Sequence, residues 1–217
     1  MSRLALSSLV LAIAGSAQAG VVGFTGLDVD FLGTHNGRDI YRVYANFSDA
    51  TGWQFLNVYN HNITSGTMSA LHSDAVTLSG GAGAWTGDQT FASGPFDGSL
   101  SDSFVTANGL FGLGASADTA LDPSFGSNAS AIGVNGGWYD SNPGGTSATV
   151  SQRLLIMQIA LAAGDAGYSA DLTVGFKEVG TTTSLAGSGS YTVGFIPAPG
   201  AVALLGLAGF TVSRRRR

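Results

Sequence analysis

Apolar and polar residues alternate with a period of two through much of this chain. From Tyr168 to Lys177 the residues Tyr168, Ala170, Leu172, Val174 and Phe176 oppose Ser169, Asp171, Thr173, Gly175 and Lys177. That is the pattern of a strand packed on one face and wetted on the other. The same period runs through Val22 to Phe31, where Leu27, Val29 and Phe31 alternate with Asp28 and Asp30. It returns in Ile40 to Phe47, with Tyr41, Val43, Ala45 and Phe47 opposing Arg42 and Asn46. Trp53 to Ile63 reads as a third strand, its later half made polar by Asn57, Asn60, His61 and Asn62.

Gln152 to Ala163 breaks the period, because Leu154 to Met157 and Ile159 to Leu161 are apolar at every register. A helix fits such a run as well as a strand does. The Gly164-Asp165-Ala166-Gly167 turn and the strict alternation beyond it favour a central strand buried on both faces. Between Asp74 and Gly114 the short apolar runs Ala75–Leu78, Phe104–Thr106 and Leu110–Leu113 are separated by glycine-rich breaks, which predicts hairpins. Leu121–Gly126 predicts a loop, Ala129–Val134 a short strand, and Asn135–Thr149 a long Gly, Asn and Pro-rich excursion. Thr181–Gly189 predicts a flexible turn, after which Tyr191, Val193 and Phe195 finish the body.

Roughly ten short strands at turn intervals of about ten residues predict an all-β fold, a single antiparallel β-sandwich of jelly-roll type spanning residues 20–195. An up-and-down barrel is the alternative architecture. Composition points the same way. The chain carries 33 glycines and only 11% charged residues, and its acids are nearly all Asp, a residue of turns rather than of exposed helix faces. With no cysteine, thiolate metal sites, thiol nucleophiles and disulfide staples are excluded, so the core alone must hold the fold.

Both ends carry a different pattern. Arg3 precedes an apolar stretch from Leu4 to Ala14, and Ala17-Gln18-Ala19 follows with the small residues of a cleavage site. Residues 1–19 therefore read as a helical secretory signal peptide handled by the general secretion machinery. At the other end, Pro197-Ala198-Pro199-Gly200 is followed by an apolar run from Ala201 to Val212, Ser213, and then Arg214, Arg215, Arg216 and Arg217. As a helix that apolar run would rise only about 18 Å, short of a comfortable bilayer span. The four guanidinium groups would hold its far end on the cytoplasmic side. An ordinary membrane tail is the plainer reading.

This order of Pro-x-Pro, short apolar helix and arginine cluster resembles the PEP-CTERM sorting signal of bacterial surface proteins, over residues 196–217. Ala198 stands where that family has Glu. The resemblance implies cutting near Pro197 to Gly200 by an exosortase-like membrane transpeptidase, after transient anchoring in the inner membrane. The product would be a non-enzymatic cell-surface or extracellular-matrix protein.

Charge narrows the partners of the body. Between the two ends lie four basic residues (Arg38, Arg42, Arg153 and Lys177) against fourteen acids, a balance of −10, which repels nucleic acid and other polyanions. No Gly-x-Ser-x-Gly elbow occurs, and His35, His61 and His72 lack metalloprotease spacing. Asp28 and Asp30 share a strand face and are candidates for a calcium site completed by Asp122 or Asp140. An Asp-based glycoside hydrolase is a further alternative. Trp138 and Tyr139, beside Asp140 and Asn142, are candidate glycan contacts for an extracellular polysaccharide, unless Trp138 simply anchors its loop. Trp53 and Trp85 read as structural.

Overall fold

The computed structural model describes residues 23–48, 52–72, 85, 101–107, 119–128, 130–141 and 153–194. Nine strands run through them: β1 (Phe24–His35), β2 (Arg38–Phe47), β3 (Trp53–Gly66), β4 (Phe104–Val105), β5 (Thr119–Leu121), β6 (Gly136–Asp140), β7 (Arg153–Ala162), β8 (Tyr168–Glu178) and β9 (Ser184–Val193). They make two sheets, of four strands in the order β1-β2-β7-β4 and of five in the order β5-β6-β3-β8-β9. Every pairing is antiparallel. The facing sides of the sheets share one apolar core, so the all-β sandwich expected from the alternation is what forms.

The alternating segments sit as their pattern requires. On β8 the whole apolar set Tyr168, Ala170, Leu172, Val174 and Phe176 is buried. Phe176 meets the rings of Phe47 and Trp53 edge to face, at 5.2 and 5.4 Å between centroids, a T-shaped geometry that aromatic quadrupoles favour. The β1–β2 hairpin turns through Asn36 (φ 52°) and Gly37 (φ 75°), two residues suited to the left-handed backbone of a tight turn. That turn carries β1 on to His35, past the expected end at Phe31.

Strand β7 is buried on both faces, as expected: eight consecutive residues, Leu154–Leu161, lie inside between exposed Arg153 and Ala162. Met157, Ile159 and Leu161 enter the shared core. On the other side, Leu71 N donates to Ala160 O, Ala160 N donates to Ser103 Oγ, and Gln158 Nε2 donates to Asp102 O. Buried polar groups on that face are thus hydrogen-bonded, which is the condition for burying them at all.

Four expectations are corrected. Thr181–Gly189 is no flexible turn, since Ser184 already begins β9. Leu185, Gly187, Gly189, Tyr191 and Val193 form its inward set, and a Cβ at Gly187 would enter the Phe24 ring, while one at Gly189 would lie 2.8 Å from Leu27 Cγ. The glycines let β1 close against β9, and they hide the apolar period because their partners supply the bulk. Asn135–Thr149 is not all excursion, because Gly136–Asp140 pairs with β3 as strand β6. Leu121 closes strand β5 and Pro123–Phe125 forms a 3-10 turn, where a plain loop was expected. Within Ala129–Val134, residues 130–134 are bends and turns, not a strand. The runs Ala75–Leu78 and Leu110–Leu113 lie outside the described residues.

Candidate functional site

Asp28 and Asp30 do share the outer face of β1, and the structure gives them a partner from two strands away. Arg153 at the start of β7 reaches over β2, donating from Nη1 to Asp30 Oδ2 at 2.7 Å and from Nη2 to Asp28 Oδ2 at 2.7 Å. Nη2 also donates to Asp30 Oδ1 at 2.8 Å, and the guanidinium carbon lies 3.8 Å from the centre of the Tyr44 ring. These hydrogen bonds hold the Asp30 carboxyl below its ordinary range, and they raise Arg153 further. A cation at this pair would have to compete with a bidentate guanidinium.

The acids expected to complete a calcium site are not brought there. Asp122 caps the 3-10 turn, its Oδ1 accepting from Phe125 N at 2.9 Å. Asp140 is buried on β6 of the other sheet. Among the described residues no group of three or more acidic or imidazole side chains is arranged to hold a metal.

Trp138 and Tyr139 are neighbours on β6, so they point to opposite faces. Trp138 is fully buried, packs edge-on against Phe125, and donates from Nε1 to Thr106 O at 3.2 Å. Its proposed glycan contact is corrected: the indole has no face toward solvent. Tyr139 remains a candidate at 42% exposure. Trp85 is fully buried too, donating to Asn128 O, and Trp53 belongs to the core cluster.

Tyr139 stands on the outer face of the five-stranded sheet, and register fixes its neighbours. One row across the strands reads Ala120, Tyr139, Asn57, Gly175 and Ala186. The next reads Tyr59, Thr173 and Ser188, with Gly137 alongside on β6. Beyond it come Asn62, Asp171 and Ser190, then Ser65, Ser169 and Thr192. The Asn57 amide lies over Gly175, where any Cβ would strike its Oδ1. Cross-strand hydroxyls pair at Thr173–Ser188 (2.9 Å) and Ser169–Thr192 (2.8 Å). The sequence pointed to Tyr139, but not to Asn57, Tyr59 or Thr173 around it. Their signal was present in the polar half of the β3 and β8 alternations, which by itself reads only as a wetted face.

The histidines occupy three environments. His35 ends β1 beside the turn. His72 Nδ1 lies 3.2 Å from Asp102 Oδ1, its ring edge-on to Trp85 at 4.9 Å. His61 is buried on β3, its Nε2 2.7 Å from Tyr191 Oη, which in turn is 3.2 Å from Tyr168 Oη. Burial pulls His61 down to about 4 and pushes both tyrosines up. An imidazole kept neutral by burial and hydrogen-bonded to one phenol of a tyrosine pair, with no carboxylate in the set, is a structural polar knot rather than a general base aimed at a substrate.

Ala17, Ala19, Pro197, Ala198, Pro199, Gly200 and Arg214–Arg217 lie outside the described residues. Among the described residues no helix is long and apolar enough to cross a membrane. Comparison with protein-family models, curated proteins and solved structures finds no match.

Proposed function

We propose that this protein is an exported, non-enzymatic surface or extracellular-matrix protein, whose β-sandwich body is cargo delivered by removable segments at residues 1–19 and 196–217. The observation that carries this reading is the order at the carboxyl end: Pro197-Ala198-Pro199-Gly200, a largely apolar run from Ala201 to Val212, then Arg214–Arg217. A short apolar run followed by arginines suits a temporary anchor better than a permanent span, and the two prolines before it disfavour helix there. The general secretion machinery, the inner membrane and an exosortase-like transpeptidase are the partners in turn. We read the body as jelly-roll-like, since its chain passes repeatedly from one sheet to the other.

Two features of the body suit export. It holds without disulfides, so oxidising conditions neither help nor harm it. Its acidic surface favours solubility outside the cell. The test is replacement of Arg214–Arg217 by Ser in the native host, followed by fractionation and intact mass. Full-length precursor or misrouted protein is the expected result. Processing and delivery unchanged from the parent would overturn the reading.

A further inference from the structure

The geometry points to the outer face of the five-stranded sheet, centred on Tyr139, Asn57 and Tyr59, as a binding platform for a neutral polysaccharide. This goes beyond the sorting proposal and does not depend on it.

The two tyrosines sit on adjacent strands. Tyr139 is opposite Asn57, so Tyr59 lies on the diagonal from it, about 7–8 Å away, within reach of a shared ligand. Beside the rings the side chains are short. Past Tyr139 and Asn57 the same row holds only Gly175, covered by the Asn57 amide, and Ala186, and beside Tyr59 lies Gly137, its Cβ space taken by Val58 O and Asp122 Oδ2. The exposed Tyr139 ring thus stands beside small residues with amide, carbonyl and carboxylate oxygens among them. A pyranose can lay its C–H face on such a ring and turn its hydroxyls to neighbouring amides and hydroxyls.

Those neighbours are an amide at Asn57 and hydroxyls at Thr173, Ser188, Ser169 and Thr192, groups that both donate and accept. Because paired hydroxyls already orient one another across β8 and β9, little ordering remains to be done when a ligand arrives. Charge then selects among ligands. Across the paired outward positions of β3, β8 and β9 the charged residues are Asp171 and Lys177, so the face has no cluster to hold a phosphate or a carboxylate. The acidic body as a whole disfavours polyanions such as uronic-acid polymers. Lipid is disfavoured as well, because the rows beyond Tyr139, with Thr173 and Ser188, Asp171 and Ser190, Ser169 and Thr192, are polar.

The experiment uses the protein purified from its native host, with retention on insoluble cellulose, chitin and starch, affinity electrophoresis in xylan, mannan and β-glucan gels, and alginate as the anionic comparison. Retention by at least one neutral polymer is expected. Tyr139→Ala should weaken it at least about tenfold, the loss of one stacking ring, while Tyr139→Phe keeps most of it. Asn57→Ala should weaken it less. Phe31→Ala, on the other sheet and 56% exposed, should leave it unchanged, and a thermal melt of each variant confirms folding. No retention by any neutral polymer, equal retention by parent and Tyr139→Ala, or binding to alginate alone would each overturn the platform, and none of these outcomes bears on processing of the tail.

Discussion

The outward faces of the two sheets are built from the same alternation and end in opposite states. On the four-stranded sheet the outward side chains satisfy one another: Arg153 clamps Asp28 and Asp30 and covers Tyr44, while Arg42 Nε donates to Gln158 Oε1 at 3.0 Å. Ile40 and its partner Ala160, and Phe104 beside its partner Gln158, are buried on that face. On the five-stranded sheet the outward side chains are mostly uncharged, Asp171 and Lys177 apart, with Tyr139 exposed among them. The difference lies in what occupies the polar positions. Opposite charges two strands apart find each other and close the face to other ions. Hydroxyls and amides saturate weakly and remain available to a ligand.

The largest expected effect tests whether β6 divides core from platform between two adjacent residues. Trp138→Ala removes a fully buried indole and its hydrogen bond to Thr106 O, so a loss of about 3–5 kcal/mol is expected in urea unfolding. Tyr139→Ala, one position along and facing solvent, should stay within about 0.5 kcal/mol of the parent. Equal costs at the two positions would mean that the alternation along β6 is misassigned.

Next comes the buried knot between the faces. His61 has its folded pKa near 4 against an ordinary 6.5, because burial disfavours the imidazolium. The unfolded chain therefore binds the extra proton first as pH falls. Stability should be full above about pH 6.5, decline through the window from about 6.5 to about 4, and level off below it as far as this group is concerned. The integrated loss is about 3 kcal/mol. His61→Gln should flatten that window, as read from urea midpoints at a series of pH values. An unchanged slope would remove His61 as its cause.

Smaller again is closure of the sandwich along β1 and β9. Gly187→Ala places a methyl group in the Phe24 ring, an overpacking worth about 1–3 kcal/mol. A double variant with Phe24→Leu should recover part of that loss, since the two side chains would then share the space. Ala at Gly180, where a Cβ meets nothing within 4 Å but φ is +84°, separates backbone strain from crowding.

Much of this architecture was legible because burial on one face writes itself into the chain with period two. β1, β2, β3 and β8 are legible for that reason, and β7 for the opposite one, an unbroken apolar run buried on both faces. Only the end of β9, at Tyr191 and Val193, shows in the sequence; its first half does not, because the inward positions there include Gly187 and Gly189, whose apolar volume is supplied by Phe24 and Leu27 on another strand. β6 reads as loop because its glycines lie where Ile132 and Val58 press against the backbone. At the candidate site the residue types were visible but the partners were not. Nothing local told that Arg153 would reach Asp28, 125 residues earlier, or that the indole of Trp138 would turn in while the phenol beside it turned out.

The smallest expected effect concerns the closed face itself. Arg153→Met keeps the stem that packs over Tyr44 and removes the guanidinium from Asp28 and Asp30. These groups are all more than a third exposed, so water and salt screen the pair and the cost should be under about 1 kcal/mol. The Asp30 carboxyl, depressed chiefly by its hydrogen bond to Arg153, should return toward its ordinary range when followed by NMR titration. The sign of the pH effect follows: the parent gains stability from Asp30 above the carboxylate range and loses it as pH falls, and the variant should lack that gain. With the clamp gone, two neighbouring carboxylates face solvent on one strand, and a calcium titration of the variant against the parent asks whether the guanidinium is what keeps that face closed to cations. A parent that binds calcium as well as the variant does would show that the clamp yields to the ion, and the contrast between the two faces would then be one of degree.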